Sequence, residues 1–584
     1  MGGIRQRLFG TPSASTSSAS TSSASPFTND LVKMYVTGQL RANGVGKLAS
    51  SAVLSGHHGD HHHLAAASAP KGLSAYSKRH NSRNSSRNLR KGISRLTGGK
   101  LFFEPYRSKV PMWNTKTRKP QEMICNILPP HEILERVVPL GEEKAWSNID
   151  PTQQAGLMDD LKKWAARVGI DLPSHLLPLL AIALWGDSAP LGKRNGLYLL
   201  HLKMLSGKCK RRYWIFAASK RRICQCCGGR HTFDEVWRIL AWSFRALLAG
   251  VWPALNHRGV AFSKRSWRGR KAGKPLRFSG ACLGKCADWS WHKQMLNLQG
   301  WKAAKGTGRC CWICEDSFTD GSCFNVSPSR KRKLATMSGF SSAAVAKGYL
   351  CPIFSIPGFC LSLCKPDWMH TIDLGIVMDV SGNIMWELLK ELGGTYKRHL
   401  KECGQLLAMV HAKAAEMGVD PPFYALTITM IRSSMKDKPK MKLKAAESRW
   451  FVPILSEMLL DYFPCTTPRQ KKRQLCIGYL AKTYVQLKNW DAASPWVLAD
   501  CGRKHLQLYF SLKEGGLDRN CWHKYPKHHL ALHCFETLTN PALEWNYMDE
   551  SEIGTAVDIA AGVNEVNLHV NLIQRYCETF SFFD

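Results

Sequence analysis

Negative charge is what this chain of 584 residues has least of. Its 44 Asp and Glu stand against 81 Lys and Arg, a formal net charge of +37. That surplus argues against cationic partners and favours polyanions: DNA, RNA or an acidic membrane surface. Long apolar runs are also missing. The longest, Leu176 to Trp185, falls short of the roughly 20 residues that cross a bilayer, and it ends on Gly186-Asp187. No membrane span is expected. A secretory signal is not recognisable either, although the Ser-rich first segment leaves an organelle transit peptide open. Gln6 stands where a myristoylation signal needs Ser or Thr. Cysteine is present, 21 in all, but its odd number and low density exclude a disulfide framework. A reducing compartment is expected, with some cysteines on metal and most simply buried.

The length allows about two to four domains. Residues 1–110 read as a disordered arm. Ser13 to Ser25 is a Ser/Ala/Thr repeat, His57 to His63 is His-rich, and Ser77 to Lys100 is basic and Asn/Ser-rich. Asp30, Asp60 and Glu104 are its only acids, and so few apolar groups cannot offset chain entropy. The His tract has metal-binding chemistry, but a solvated linker accounts for it better. Residues 111–170 read as a helical pre-core segment, ordered from about residue 120. Within it Asp150-Pro151 opens a helix that runs to about Val168.

Residues 171–375 carry a different pattern. Leu176 to Trp185, Gly196 to Leu205 and Arg212 to Ala218 are three strand-like runs. Thr232 to Val251 has helical periodicity, Leu276 to Ala287 reads as a fourth strand, and Trp291 begins another helix. Strand, strand, strand, helix, strand, helix is the RNase H-like order, an α/β fold with a mixed sheet. Its first and fourth strands lie side by side, so carboxylates at their C-terminal ends converge. Asp187 and Asp288 stand at those two ends. Residues 376–545 read as an all-helical insertion: Ile384 to Leu392, Lys397 to Met417, Glu447 to Tyr462 and Gln474 to Trp490 are helical. Residues 546–584 then supply a final acidic segment and a helix from Ile553 to Thr579.

Phosphodiester chemistry by two metal ions needs carboxylates from separate elements meeting at one point. Asp187 and Asp288 are two candidates. Glu550 and Glu552 compete for the third place, and two residues apart on a helix they cannot share a face; Glu550 is preferred. Cys311-Trp312-Ile313-Cys314 has the C-x-x-C spacing of a tetrahedral zinc site. Its complement lies far downstream in His528-His529-Leu-Ala-Leu-His533. His529 shares a helix face with His533, whereas His528 pairs with His533 only if the helix starts or bends there. Cys224, Cys226 and Cys227, with His231 nearby, form a cluster that no second pair completes, and it reads as a turn with unligated cysteines. Cys351, Cys360 and Cys364 read as core. Asp367, His370 and Asp373 read as a loop-to-helix start with Asp373 partly exposed, of unassigned role. Arg265, Trp267, Arg268, Arg270, Lys271 and Lys274 form a basic tract around one aromatic, suited to nucleic-acid contact. Arg330 to Lys333 and Lys471 to Arg473 look like nuclear-import addresses.

Together these residues resemble the transposases of cut-and-paste elements, nearest the CACTA and Kyakuja-Dileera-Zisupton types, and the catalytic core of the V(D)J recombinase. The resemblance spans about residues 170–580. It rests on Leu-Trp-Gly-Asp187-Ser-Ala-Pro, Cys-Ala-Asp288-Trp-Ser, Cys311/Cys314, Asp367-Trp-Met-His370, and His528/His533 ahead of Glu550. It implies catalysis by Asp187, Asp288 and Glu550 with two Mg²⁺ or Mn²⁺ ions. It also implies structural Zn²⁺ on Cys311, Cys314, His528 and His533, DNA as partner, a homodimer and a nuclear location. Two departures stand out. The first motif is Gly-Asp-Ser-Ala-Pro where CACTA enzymes usually show Asp-Gly, and no separate zinc-finger or helix-turn-helix DNA-binding domain is recognisable upstream. A catalytically inactive, transposon-derived nucleic-acid-binding protein with a zinc-braced fold is therefore the alternative expectation.

Overall fold

The computed structural model describes residues 103–137, 155–172, 179–192, 195–205, 211–298, 308–514, 518–543 and 545–583, with isolated positions before residue 50. Phe102–Cys577 form one compact unit. Met1–Leu101 with Glu578–Asp584 form another, of which little is described. The His tract, the low-complexity arm and the Asp150-Pro151 cap lie outside the described residues.

The segment 111–170 is not wholly helical as its sequence suggested. It opens on a β-hairpin, β1 (Tyr106–Asn114) paired antiparallel with β2 (Lys119–Ile127), so regular structure also begins inside the expected arm. In β1 the side chains of Tyr106, Ser108, Val110 and Met112 alternate inward, whereas β2 buries only its last three residues. That lopsided burial, with Pro111 and Pro120 in the strands, masks the period-two signal. Helices α1 (Pro130–Val137) and α2 (Ala155–Val168) follow.

A five-stranded mixed sheet forms the centre. Its strands are β3 (Leu179–Pro190), β4 (Gly196–Met204), β5 (Arg212–Ser219), β6 (Ser279–Ala287) and the short β7 (Cys364–Pro366). Their spatial order is β5-β4-β3-β6-β7. The first three are antiparallel neighbours, while β6 runs parallel to both β3 and β7. Every residue of β4 and β6 is buried, as a sheet covered on both faces requires. On one face α2 lays Leu157, Leu161 and Trp164 over Ala181, Ala183, Ala281 and Leu283. The other face carries α3 (Arg230–Ala249), whose Leu247 meets Gly280 together with Leu134 of α1. Small residues on the sheet therefore let large ones on the helices approach.

Past β6 come α5 (Trp289–Leu296), a largely irregular segment containing the Cys pair and a ten-residue helix, Met337–Ala346, and β7; the five-residue α4 (Trp267–Lys271) precedes β6. The chain leaves β7 through a wide π turn, Met369–Val377, which continues into α6 (Met378–Glu391). Then follow α7 (Leu400–Glu416), α8 (Ala445–Tyr462), α9 (Pro468–Lys488), α10 (Ser494–Leu512) and α11 (Pro526–Phe535). Among the described residues every regular element between β7 and Asn546 is helical. These helices share a core of their own, with Trp386, Tyr509 and Trp522 fully buried. The expected final helix is in fact two, α12 (Tyr547–Ala561) and α13 (Leu568–Phe583). Gly562, Val563 and Asn564 interrupt them, and the apolar positions on either side continue closely enough in sequence to hide the break.

Candidate metal centres

Strands β3 and β6 bring the first two acids together. Their parallel ladder ends at Trp185 opposite Cys286, which places Asp187 and Asp288 two residues further along adjacent chains. Asp187 is not a strand end, as the sequence suggested; β3 continues to Pro190 because its other edge stays paired, with Asp187 opposite Leu199 of β4. Gly186 is required here, since a Cβ would lie 2.4 Å from the Trp291 ring. Asp288 is the N-cap of α5 and accepts from the Trp291 backbone amide at 2.6 Å. The ring and the cap thus lock α5 against β3.

Glu550 arrives on α12 from the far end of the chain. Two contacts in its own turn of helix set its position. Asp549, fully buried, accepts from Lys203 of β4 at 3.0 Å and Arg212 of β5 at 2.9 Å, with His201 Nε2 at 3.3 Å. Those cations hold the Asp549 carboxyl below its usual range against the upward push of burial. On the other side the Tyr547 hydroxyl donates to Asp373 at 2.7 Å, and Tyr484 of α9 donates to the same carboxylate. Asp373 is wholly buried, not partly exposed as its sequence context suggested, because the π turn directs it into the helical body. Burial raises its carboxyl to about 7. Glu552 points elsewhere and accepts from Trp214 Nε1 at 2.5 Å. Sequence reasoning missed Asp549, whose partners come from two distant strands.

Asp187, His370 and Glu550 offer ligand atoms within 4.8 Å of one another. Asp288 lies outside that trio but adds its charge. Burial, then repulsion from Asp288 and Glu550, raises the Asp187 carboxyl to about 8. Burial also raises Glu550. His370 is held through Nδ1 by Asp367 at 2.6 Å and faces Glu550 through Nε2 at 3.8 Å. Burial alone would lower His370, but the hydrogen bond and charge of Asp367, with Asp187 and Glu550, lift it to about 9. Glu550 Oε1 is buried and accepts no hydrogen bond. Crowded carboxylates, one with an orphaned oxygen, suit a hard divalent cation. Beside them a cleft of about 390 Å³ is lined by Asp288, Trp289, Asp367, His370, Lys440 and Lys527.

The second centre joins the irregular segment to α11. Cys311 Sγ lies 3.6 Å from Cys314 Sγ, 3.1 Å from His529 Nε2 and 3.5 Å from His533 Nε2. Cys314 Sγ is 3.3 Å from His529 Nε2, and the two imidazole nitrogens are 3.1 Å apart. Zn–S and Zn–N bonds of about 2.3 and 2.0–2.1 Å give tetrahedral edges of roughly 3.8, 3.6 and 3.3 Å, so this group could hold a metal such as zinc. His529 Nδ1 donates to the Cys323 carbonyl at 3.0 Å, which turns Nε2 toward the thiols. The interacting thiols and imidazoles hold the Cys311 thiol well below its usual range despite burial. His528, expected as a ligand, is not one. Pro526 starts α11 early enough for 529 and 533 to share a face, and His528 turns into Tyr509, Phe510 and Tyr525. Its Nδ1 accepts from the Tyr525 amide at 3.0 Å, and burial lowers it to about 3.

The basic tracts are less open than their sequences suggested. Arg268 makes a two-pronged pair with Glu132 at 2.7 and 2.8 Å and lies over Trp267, whose ring meets Trp252 edge-on. Lys271 sits over Trp252. Arg265, Arg270 and Lys274 are exposed. Arg330 and Arg332 pair with Asp316, and Arg332 with Glu536 at the end of α11, so this tract braces the Cys/His centre. Arg473 is buried between Glu387 and Glu391. Among the described residues no helix is long and apolar enough to cross a membrane. No protein-family model matches the chain, and no curated protein matches it.

Proposed function

We propose that this chain is a transposase-type DNA nuclease and strand transferase with an RNase H-like core. Asp187, Asp288 and Glu550 are its metal-binding acids. The observation that carries the reading is that Asp187 and Asp288 leave adjacent parallel strands side by side, and Glu550, from a helix beyond the helical body, brings a ligand atom within 4.8 Å of Asp187. The strand order β5-β4-β3-β6-β7 supports the fold assignment. Two Mg²⁺ or Mn²⁺ ions bound there would polarise the scissile phosphate and the attacking oxygen. The chain's own residues do the positioning. Asp549 and Tyr547 seat α12, Gly186 and Trp291 seat Asp288, and Asp367 holds the His370 ring toward Glu550. Lys440 and Lys527, at the rim of the adjoining cleft, supply positive charge for a phosphate backbone, and Trp289 supplies a ring. Zinc on Cys311, Cys314, His529 and His533 would tie the helical body to the core. DNA as substrate, a dimer that joins two ends, and a nuclear location go with this proposal.

One observation favours the non-catalytic alternative. Asp288 spends an oxygen on its own helix cap, and His370 takes its place in the tightest group with Asp187 and Glu550. A DNA-binding protein that has lost cleavage would keep the basic surface and the zinc brace. Metal-dependent nicking of supercoiled DNA by wild type beside Asp288→Ala separates the two. Cleavage by wild type and its loss in the variant support the nuclease. Equal activity in both removes the assignment of Asp288, and no activity in wild type alongside retained DNA binding gives the alternative.

A further inference from the structure

We propose a second zinc site, formed by Cys224, Cys226, Cys227 and His231 at the turn from β5 into α3. It is independent of the nuclease reading and would stand without it. The four side chains offer ligand atoms within 4.8 Å of one another. Cys224 Sγ and Cys226 Sγ each lie 3.5 Å from His231 Nδ1. The two sulfurs are 3.0 Å apart, far beyond the roughly 2.05 Å of a disulfide and nearer the edge of a metal tetrahedron.

The backbone is shaped to close this group. C-x-C-C-G-G-x-H brings His231 back over the cysteines only because the chain reverses at Gly228 and Gly229. Their φ values are 63° and 103°, which favour glycine. A Cβ on Gly229 would also stand 2.9 Å from Ile223. The reversal is held by Gly229 N–H to the Cys224 carbonyl at 2.8 Å and by Thr232 Oγ1, which accepts from the Cys224 amide at 3.0 Å. The His231 amide, in the first turn of α3, donates to Cys227 Sγ at 3.3 Å. Amides at a helix N-terminus favour thiolates, as do the flanking Lys220, Arg221, Arg222 and Arg230. Three thiolates, one imidazole and Zn²⁺ would carry one net negative charge, in a segment whose sequence neighbours are basic. Thr232 also donates to the Pro111 carbonyl at 2.6 Å, so the site ties the hairpin, β5 and α3 at one corner.

Full-length protein purified with reductant should contain two zinc ions per chain. Cys226→Ser/Cys227→Ser should contain one, and Cys311→Ser/Cys314→Ser should also contain one, from the other centre. Cobalt substitution reads the same question by ligand type: the Cys311→Ser/Cys314→Ser protein should keep an ion with the stronger thiolate charge-transfer band of three sulfurs. Should either variant fail to fold, alkylation of wild type decides. Cys226 is exposed, so a bound metal should slow its modification at least tenfold until a chelator is added. One zinc per chain in wild type with rapid Cys226 alkylation overturns the proposal. A Cys224–Cys226 disulfide in the reduced preparation overturns it as well.

Discussion

Proton and metal should compete at the acidic centre, and the competition has a predictable sign. The Asp187 carboxyl is raised from 3.8 to about 8, so across that window the native state holds a proton the unfolded chain has released. His370 is raised from 6.5 to about 9 and behaves likewise at higher pH. Each contributes stability that is full below its unfolded pKa and lost as pH rises through the folded one. For each proton the slope is about 1.4 kcal/mol per pH unit. Between pH 6 and 8 the Asp187 contribution alone amounts to roughly 2–3 kcal/mol. A divalent cation needs these groups deprotonated and replaces the proton as counter-charge. Mg²⁺ or Mn²⁺ should therefore stabilise the protein more at pH 8 than at pH 6. Urea unfolding of wild type and Asp187→Asn, with and without millimolar metal at both pH values, isolates the effect from all other carboxylates. The variant should lose most of the pH-dependent difference. Equal metal stabilisation at the two pH values, or indistinguishable behaviour of the variant, would show that Asp187 is not where the cation binds.

Asp549→Asn should lower unfolding stability by about 3–5 kcal/mol, because it breaks the ion pairs of a wholly buried carboxylate with Lys203 and Arg212; a loss below about 1 kcal/mol in urea would mean that this cluster does not seat α12. His529→Asn should release one zinc per chain, whereas His528→Asn should keep the metal and lose only packing, a pattern elemental analysis reads directly. Glu550→Gln should weaken Mn²⁺ binding in calorimetry at least tenfold, while Glu552→Gln should leave it within about twofold. Tyr547→Phe should cost about 1–3 kcal/mol by leaving Oδ2 of the buried Asp373 without its donor, and loss of Mn²⁺ affinity along with stability would tie that hydroxyl to the placement of Glu550.

Four strands of the sheet were legible because they are largely buried and read as apolar runs between Gly and basic turns, whereas the three-residue β7 is too short to show a pattern. Asp187 and Asp288 followed from the order of those strands, since a parallel first and fourth strand forces their exits together. The hairpin at 106–127 was hidden because one of its strands faces outward along most of its length. The choice of His528 came from the spacing of a resemblance, while the regular one-turn geometry of α11 selects His529. Asp549 could not be found from sequence: an acid beside two others on a helix is ordinarily a solvated face, and its cations lie on strands far upstream. Arg268, Arg332 and Arg473 show the converse, where tracts whose sequences look open spend central charges on carboxylates of the chain's own fold.

The long route by which Glu550 reaches Asp187 has a consequence for when the centre exists. The sheet can hold two of its acids as soon as β6 pairs with β3, and much of the chain's positive charge has also emerged by then. The third acid belongs to a helix synthesised after the whole helical body, and that helix is held through Asp373, Lys203 and Arg212, which come from both halves of the chain. Completion of the acidic centre is thus conditional on the last stretch of chain and on both halves being correctly built. A copy truncated before α12 would keep Asp187 and Asp288 on adjacent strands but lack Glu550, so that on the proposed reading assembly of the last helix and chemistry at the centre are interlocked.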